Sequence, residues 1–154
     1  MLKVTPFEQT TGYCGPASLK MVLEYYGVKK SERELARLSG ATIGRGVEGK
    51  GLLRAAKKLG LRGFIKDFAS LSDIKKFVIQ KKIPVIVDWF SRDDGHYSVV
   101  AGIDGKNIYL QDPEWGKRVK MDLKTFNRVW FDFPGNHIRS PRDLIIRRLI
   151  AIYK

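Results

Sequence analysis

The chain carries one cysteine, Cys14, and two histidines, His96 and His137. A thiolate nucleophile working with an imidazole base needs one residue of each type, so the search for that chemistry is short. Cys14 precedes Gly15-Pro16 and a stretch, Ala17 to Tyr26, with Leu19, Val22, Leu23 and Tyr26 at helical spacing, closed by Gly27. Proline is tolerated at the start of a helix because its missing N–H would have no partner there. A helix N-terminus offers unpaired N–H groups and the positive end of the helix dipole, and both favour a thiolate. The backbone N–H of Cys14 is placed to donate to a developing oxyanion. Gly15 lacks a Cβ and would let a substrate chain come close to the sulfur. A lone cysteine is otherwise a small buried apolar residue, so its company decides.

That company is specific. His96 follows the polar loop Ser91-Arg92-Asp93-Asp94-Gly95 and opens a strand-like run, His96 to Ile103. Asp104-Gly105-Lys106 then makes a turn into Asn107-Ile108-Tyr109-Leu110-Gln111-Asp112, so the two runs form a hairpin. Antiparallel pairing about that turn joins positions whose numbers sum to about 208 or 209, good to a residue or two. Asp112 therefore falls opposite Tyr97 or its neighbour, within reach of the His96 ring, where a carboxylate can fix the imidazole tautomer. Gln9 stands five residues before Cys14, and its neutral amide suits an oxyanion donor. The plainer readings are a structural thiol for Cys14, a strand histidine for His96 and a turn-forming Asp before Pro113 for Asp112. His137, beside Asn136 and without a Cys or carboxylate motif, reads as a surface-loop residue.

The elements that must position these groups are helices first and strands second. Ser31 to Glu34 has the form of a capping box opening a short helix with Leu35 and Leu38 that stops at Gly40. A glycine-rich loop, Gly44 to Gly51, leads to a helix from Leu52 to Leu59 ended by Gly60. That loop lacks the Gly-Lys-Ser/Thr ending and preceding strand of a phosphate cradle. Leu61 to Phe68 is strand-like. Ser70 or Ser72 caps a helix reaching about Lys81, with Ile74, Phe77 and Val78 inward. Pro84 to Phe90 is a strand, Lys117 to Met121 another, Leu123 to Phe131 a short helix and Leu144 to Tyr153 a final strand. The expectation is an α+β fold, N-terminal helices packed on a C-terminal antiparallel sheet, within a single domain spanning residues 1–154.

Gln9-Thr10-Thr11-Gly12-Tyr13-Cys14-Gly15-Pro16-Ala17-Ser18-Leu19, with Met21 to Gly27, resembles the start of the peptidase C39 family and its C39-like relatives. Gly95-His96-Tyr97-Ser98-Val99-Val100 and Tyr109-Leu110-Gln111-Asp112-Pro113 with Gly116 resemble that family's His and Asp-Pro motifs, in the same order. The resemblance runs from about Phe7 to Trp130. It implies a papain-like cysteine peptidase fold with Cys14 as nucleophile, His96 as base, Asp112 as orienting carboxylate and Gln9 as oxyanion donor. The family is best known for clipping double-glycine leaders from bacteriocin precursors, commonly as part of an ABC transporter. Four residues separate Gln9 from Cys14 here, where the leader peptidases usually have five, and the sequence shows no transporter part.

Bulk properties frame that reading. Hydrophobic residues are 44% and charged residues 29% of the 154, which suits a folded globular chain. No apolar run approaches the length of a membrane span and no signal peptide is apparent, so the expected location is cytoplasmic. The net charge is +13, but the cations are scattered as pairs without a nucleic-acid motif, so nucleic acid is not expected as a partner. One Cys and two separated His do not make a zinc site, and no cofactor is required. The expected partner is a peptide or amide substrate, with Gly12, Gly15, Gly95 and Trp115 lining a narrow cleft; a separate transporter is a candidate associate. The reaction is hydrolysis through a Cys14 thioester, on leader-type peptides if the resemblance extends to substrate. The alternatives are a catalytically silent peptide-binding module and an acyltransferase using the same Cys.

Overall fold

A computed structural model describes residues 1–154. Three helices come first: α1 (Cys14–Tyr25), α2 (Glu32–Ser39) and α3 (Gly49–Lys58). Strand β1 (Arg62–Lys66) follows, then α4 (Leu71–Lys75), which continues as a π-helical turn, Lys76–Gln80. The strand-rich half is β2 (Val85–Ser91), β3 (Asp94–Ile103), β4 (Asn107–Asp112), β5 (Lys117–Asp122), α5 (Leu123–Val129), β6 (Phe131–Asp132), β7 (Ile145–Ile146) and β8 (Arg148–Tyr153). Six strands form one antiparallel sheet in the order β1-β8-β2-β3-β4-β5, and β6 with β7 forms a small second sheet. The expected α+β arrangement of helices on an antiparallel sheet is therefore observed.

Helix α1 lies against β3 and β2, and α3 against β1 and β8. The contact is apolar: Leu19, Val22, Leu23, Leu52 and Ala56 are fully buried with Val85, Val99, Ile150 and Ile152 from the sheet. Burying side chains of this size stabilises each position by roughly 1.5–3 kcal/mol. Helix α5 covers β5, β4 and β2 through buried Phe126 and Trp130.

Several boundaries differ from the sequence expectation, each for a physical reason. Helix α1 starts at Cys14 itself, one residue after the N-cap Tyr13. Helix α3 starts at Gly49, inside the expected glycine-rich loop, and its Gly51 packs against the Ser39 carbonyl where a side chain would not fit. At α2 only half the expected capping box forms, Ser31 Oγ accepting from the Glu34 N–H. The reciprocal box belongs to Ser70 and Asp73 at α4. The final run is broken rather than continuous. Arg147 has φ of 46° and donates its N–H to the Trp130 carbonyl, so Ile145–Ile146 pairs with β6 while β8 enters the main sheet.

The β3–β4 register also departs slightly. Val99 pairs with Gln111 and Val100 with Leu110, then an irregularity shifts Gly102 onto Tyr109. Continued from Val99, that register sets Asp112 across from Ser98, which makes it the diagonal neighbour of His96 on the same face.

Candidate active site

Three elements converge on one point: the tip of α1, the start of β3 and the end of β4. The His96 Nε2 lies 2.6 Å from Asp112 Oδ1. Both side chains are buried. An ionised carboxylate only accepts, so the Nε2 carries the proton and donates it to Asp112. The other oxygen-directed contact on Asp112 comes from the Glu114 N–H, 3.0 Å from Oδ1, while the Asp112 carbonyl accepts from the N–H groups of Trp115 and Gly116. The carboxylate thus closes the turn and holds the imidazole at once.

With Nε2 committed to Asp112, Nδ1 is the nitrogen left to serve Cys14, whose side chain is near enough to act on the charge of the ring. Burial alone would lower the His96 pKa, but Asp112 and Cys14 outweigh it and raise it to about 10. The imidazolium is therefore the favoured form of the ring across the neutral range. The indole of Trp89, opposite His96 in the β2–β3 pairing, packs edge-on against the imidazole at 5.6 Å between ring centroids. Its Nε1–H donates to Ser98 Oγ at 3.0 Å, which fixes that wall of the site.

Gln9 is half-buried, and its backbone N–H donates to the Pro113 carbonyl at 2.8 Å. Its Oε1 is buried without a partner. The segment before Cys14 is thereby tied to the loop that follows Asp112. Trp115 is 48% exposed, and the Arg92 guanidinium stands 5.3 Å from its ring centroid, joining the loops that precede His96 and follow Asp112.

The three expected cleft glycines all face the chain's own atoms on the side where a Cβ would project. At Gly12, with φ of +87°, that position meets the Ile43 carbonyl at 2.9 Å. At Gly15 it meets Val47, Tyr97 and Leu52, and at Gly95 the Asp132 carboxylate. The close approach that Gly15 permits is thus by the loop before α3, and that at Gly95 by β6. The ligand atoms of His96, Asp112 and Glu114 lie within 4.8 Å of one another. His96 and Asp112 use theirs on each other, so a metal there would have to break that bond.

Sequence reasoning missed a second ionisable group close to this point. Asp88, opposite Tyr97 on β2, is 2% exposed, and burial first and Asp132 next hold its carboxyl well above the usual range. The signal was present: a charged residue inside Val85-Ile86-Val87-Asp88-Trp89-Phe90, a run apolar on both faces. Its partner lies 44 residues away in sequence, 132 minus 88, with nothing local to pair them. His137 is an exposed loop residue, as expected.

This helix-on-sheet arrangement with a Cys at a helix tip and a His–Asp pair on adjacent strands is the papain-like fold. The peptidase domain of Streptococcus ComA superposes on it with a TM-score of 0.75 at 23% identity, covering 97% of this chain and 98% of that domain. The sequence profile of the peptidase C39 family matches residues 5–133, and the chain belongs to that family. An uncharacterised protein of Methanothermobacter marburgensis is 38% identical over 88% of this chain and 87% of its own length. A lactococcin transport/processing ATP-binding protein of Lactococcus lactis is 31% identical over 76% of this chain, which spans only 16% of that protein. No helix is long and apolar enough to cross a membrane.

Proposed function

We propose that this chain is a cysteine peptidase that cleaves precursor peptides after a double-glycine leader. Cys14 attacks the scissile carbonyl carbon, and the oxyanion accepts from the Cys14 N–H and the Gln9 side-chain amide. The His96 imidazolium gives its Nδ1 proton to the departing amine as the C–N bond breaks, leaving a thioester. Water then attacks the thioester, His96 takes a proton from it, and the acid leaves as the sulfur is released. Asp112 holds the ring so that Nδ1, not Nε2, faces the sulfur.

The observation that carries this reading is the buried pairing of His96 Nε2 with Asp112 Oδ1 at 2.6 Å, with the Cys14 side chain at the tip of α1 near enough to act on the charge of the ring. A structural histidine needs neither a buried carboxylate nor a neighbouring thiol. Family membership supports the reaction class, and the Lactococcus relative, a protein of lactococcin transport and processing, supports a peptide precursor as substrate. Transport is no part of the proposal.

The test is mass spectrometry of synthetic precursors with Gly-Gly before the cut site and with Ala-Ala in its place. Cleavage after Gly-Gly alone is expected, and Cys14→Ala should lower kcat/KM on the order of 10^4-fold or more. Equal turnover by Cys14→Ala and the wild type would refute the nucleophile assignment. Equal cleavage of the Ala-Ala peptide would refute the substrate assignment.

A further inference from the structure

The sheet face that packs on the tip of α1 through Tyr97 carries an acidic pair in a strongly basic protein. Asp88 sits in the middle of β2, between Tyr97 of β3 and Arg148 of β8. Its Oδ1 is buried with no partner. Asp132 reaches it from β6, lying over the Cα of Gly95, where the missing side chain leaves just enough room for a carboxylate. The Asp132 carboxylate has a donor of its own: its Oδ1 accepts from the Phe133 N–H at 2.7 Å. Arg148, the cation paired with Asp88 across β2 and β8, is drawn away by a two-pronged bond to Asp67 at 2.7 and 2.9 Å.

Two carboxyls that share one sheet face and act on each other, one of them buried, are not both ionised at neutral pH. The backbone donor and the greater exposure favour the anion on Asp132, which leaves the proton on Asp88. Burial and Asp132 push Asp88 well above the usual carboxylate range. Burial raises Asp132 too, but the bonds from Asp88 and the Phe133 N–H oppose that rise.

We propose that Asp88 and Asp132 share one proton and act as a positioning pair for the nucleophile, Asp88 serving as a neutral donor that keeps the negative charge away from Cys14. The charged and titratable groups facing the pair are Cys14 from α1, Tyr97 and Asp94 from β3, and Arg148 from β8. Ionising Asp88 would place a buried negative charge where it opposes a thiolate at Cys14. The pair confines its anion to the outer position. This inference rests on the nucleophile reading of Cys14, and its test separates the two.

Asp88→Asn and Asp132→Asn are matched probes. Each keeps one amide-to-carboxylate hydrogen bond of nearly the same shape, so a merely structural role predicts equal effects. They differ in where an anion can sit: on Asp132 in the first, and in the second on Asp88 alone, which burial keeps protonated until the pH rises. The rate of Cys14 alkylation by iodoacetamide, measured from pH 6 to 9, is expected to stay within about twofold of wild type in Asp88→Asn throughout and to fall behind it by up to about tenfold toward pH 9 in Asp132→Asn. Equal profiles for the two variants, or a large loss in folded Asp88→Asn, would overturn the proposal.

Urea unfolding of wild type and Asp88→Asn across pH 5 to 8.5 gives an independent reading. A carboxyl whose folded pKa is raised loses stability as pH rises above its unfolded value, whereas Asn does not titrate. The ratio of the two unfolding constants should therefore grow by up to about tenfold per pH unit in favour of Asp88→Asn. A pH-independent ratio overturns the shared proton, whatever the reactivity of Cys14. Conversely, wild-type Cys14 no more reactive than in the unfolded chain would refute the nucleophile reading while leaving the urea series valid.

Discussion

Replacing Asp112 with Asn removes a charge from the His96 ring while keeping an acceptor of the same shape. The wild-type ring titrates at about 10 rather than 6.5, a difference of roughly 5 kcal/mol in favour of the imidazolium. That surplus persists although burial acts against it, so Asp112 and Cys14 together supply more than the net figure. An ionised carboxylate at hydrogen-bond distance is worth about one to three pH units. Asp112→Asn should therefore bring the His96 midpoint down to between roughly 7 and 9. The sign for stability follows. A base whose folded pKa is raised contributes stability that is fully present below its unfolded value near 6.5 and is lost as pH rises toward 10. Wild type should then exceed Asp112→Asn most at about pH 6, with the gap closing by about pH 10. Nitrogen NMR of the imidazole against pH, with urea unfolding at the same pH values, measures both effects. A wild-type His96 that titrates near its ordinary value, or an Asp112→Asn midpoint equal to wild type, would refute the reasoning.

Gly95→Ala drives a methyl into the Asp132 carboxylate; a loss of about 1–3 kcal/mol in urea unfolding is expected, with slower peptide cleavage as β6 shifts. Trp115→Ala removes a half-exposed ring held by Arg92, so KM should rise several-fold while kcat changes little, measured on the double-glycine precursor. Ser70→Ala deletes one side of the reciprocal cap of α4. It should cost about 1 kcal/mol, read as a fall of roughly 2–4 °C in Tm by calorimetry.

The constellation was legible because each member announced itself locally. Cys14 stood against a Pro-opened helix, His96 opened an apolar strand and Asp112 closed its hairpin partner. The turn fixed their meeting to within a residue. What was lost traces to tertiary causes. The shift between Val100 and Gly102 coincides with the chain start, where the Leu2 N–H bonds to the Ala101 carbonyl and Met1 packs on Gly102. No feature of the hairpin sequence foretells an irregular N-terminal segment arriving from a hundred residues away. Leu144 to Tyr153 reads as one strand because four isoleucines and a tyrosine dominate it; the break at Arg147 is imposed by Trp130 and β6. Asp88 was passed over because it was weighed as one residue in a strand, and its meaning depends on a carboxyl brought in by another element. The glycines were recognised as places of close approach, but the approaching atoms belong to the chain itself.

The bond from the Gln9 N–H to the Pro113 carbonyl, with that from Gln111 to the Val4 carbonyl, stitches the first nine residues along β4. Gln9 is thereby carried by the hairpin rather than by the helix. Between that seam and the sulfur lie only Thr10 to Tyr13, themselves cinched by the Tyr13 N–H on the Thr10 carbonyl at 2.9 Å. Any breathing of the cleft must be absorbed by this short tether, so the amide and the acid side travel as one jaw and Cys14 as the other.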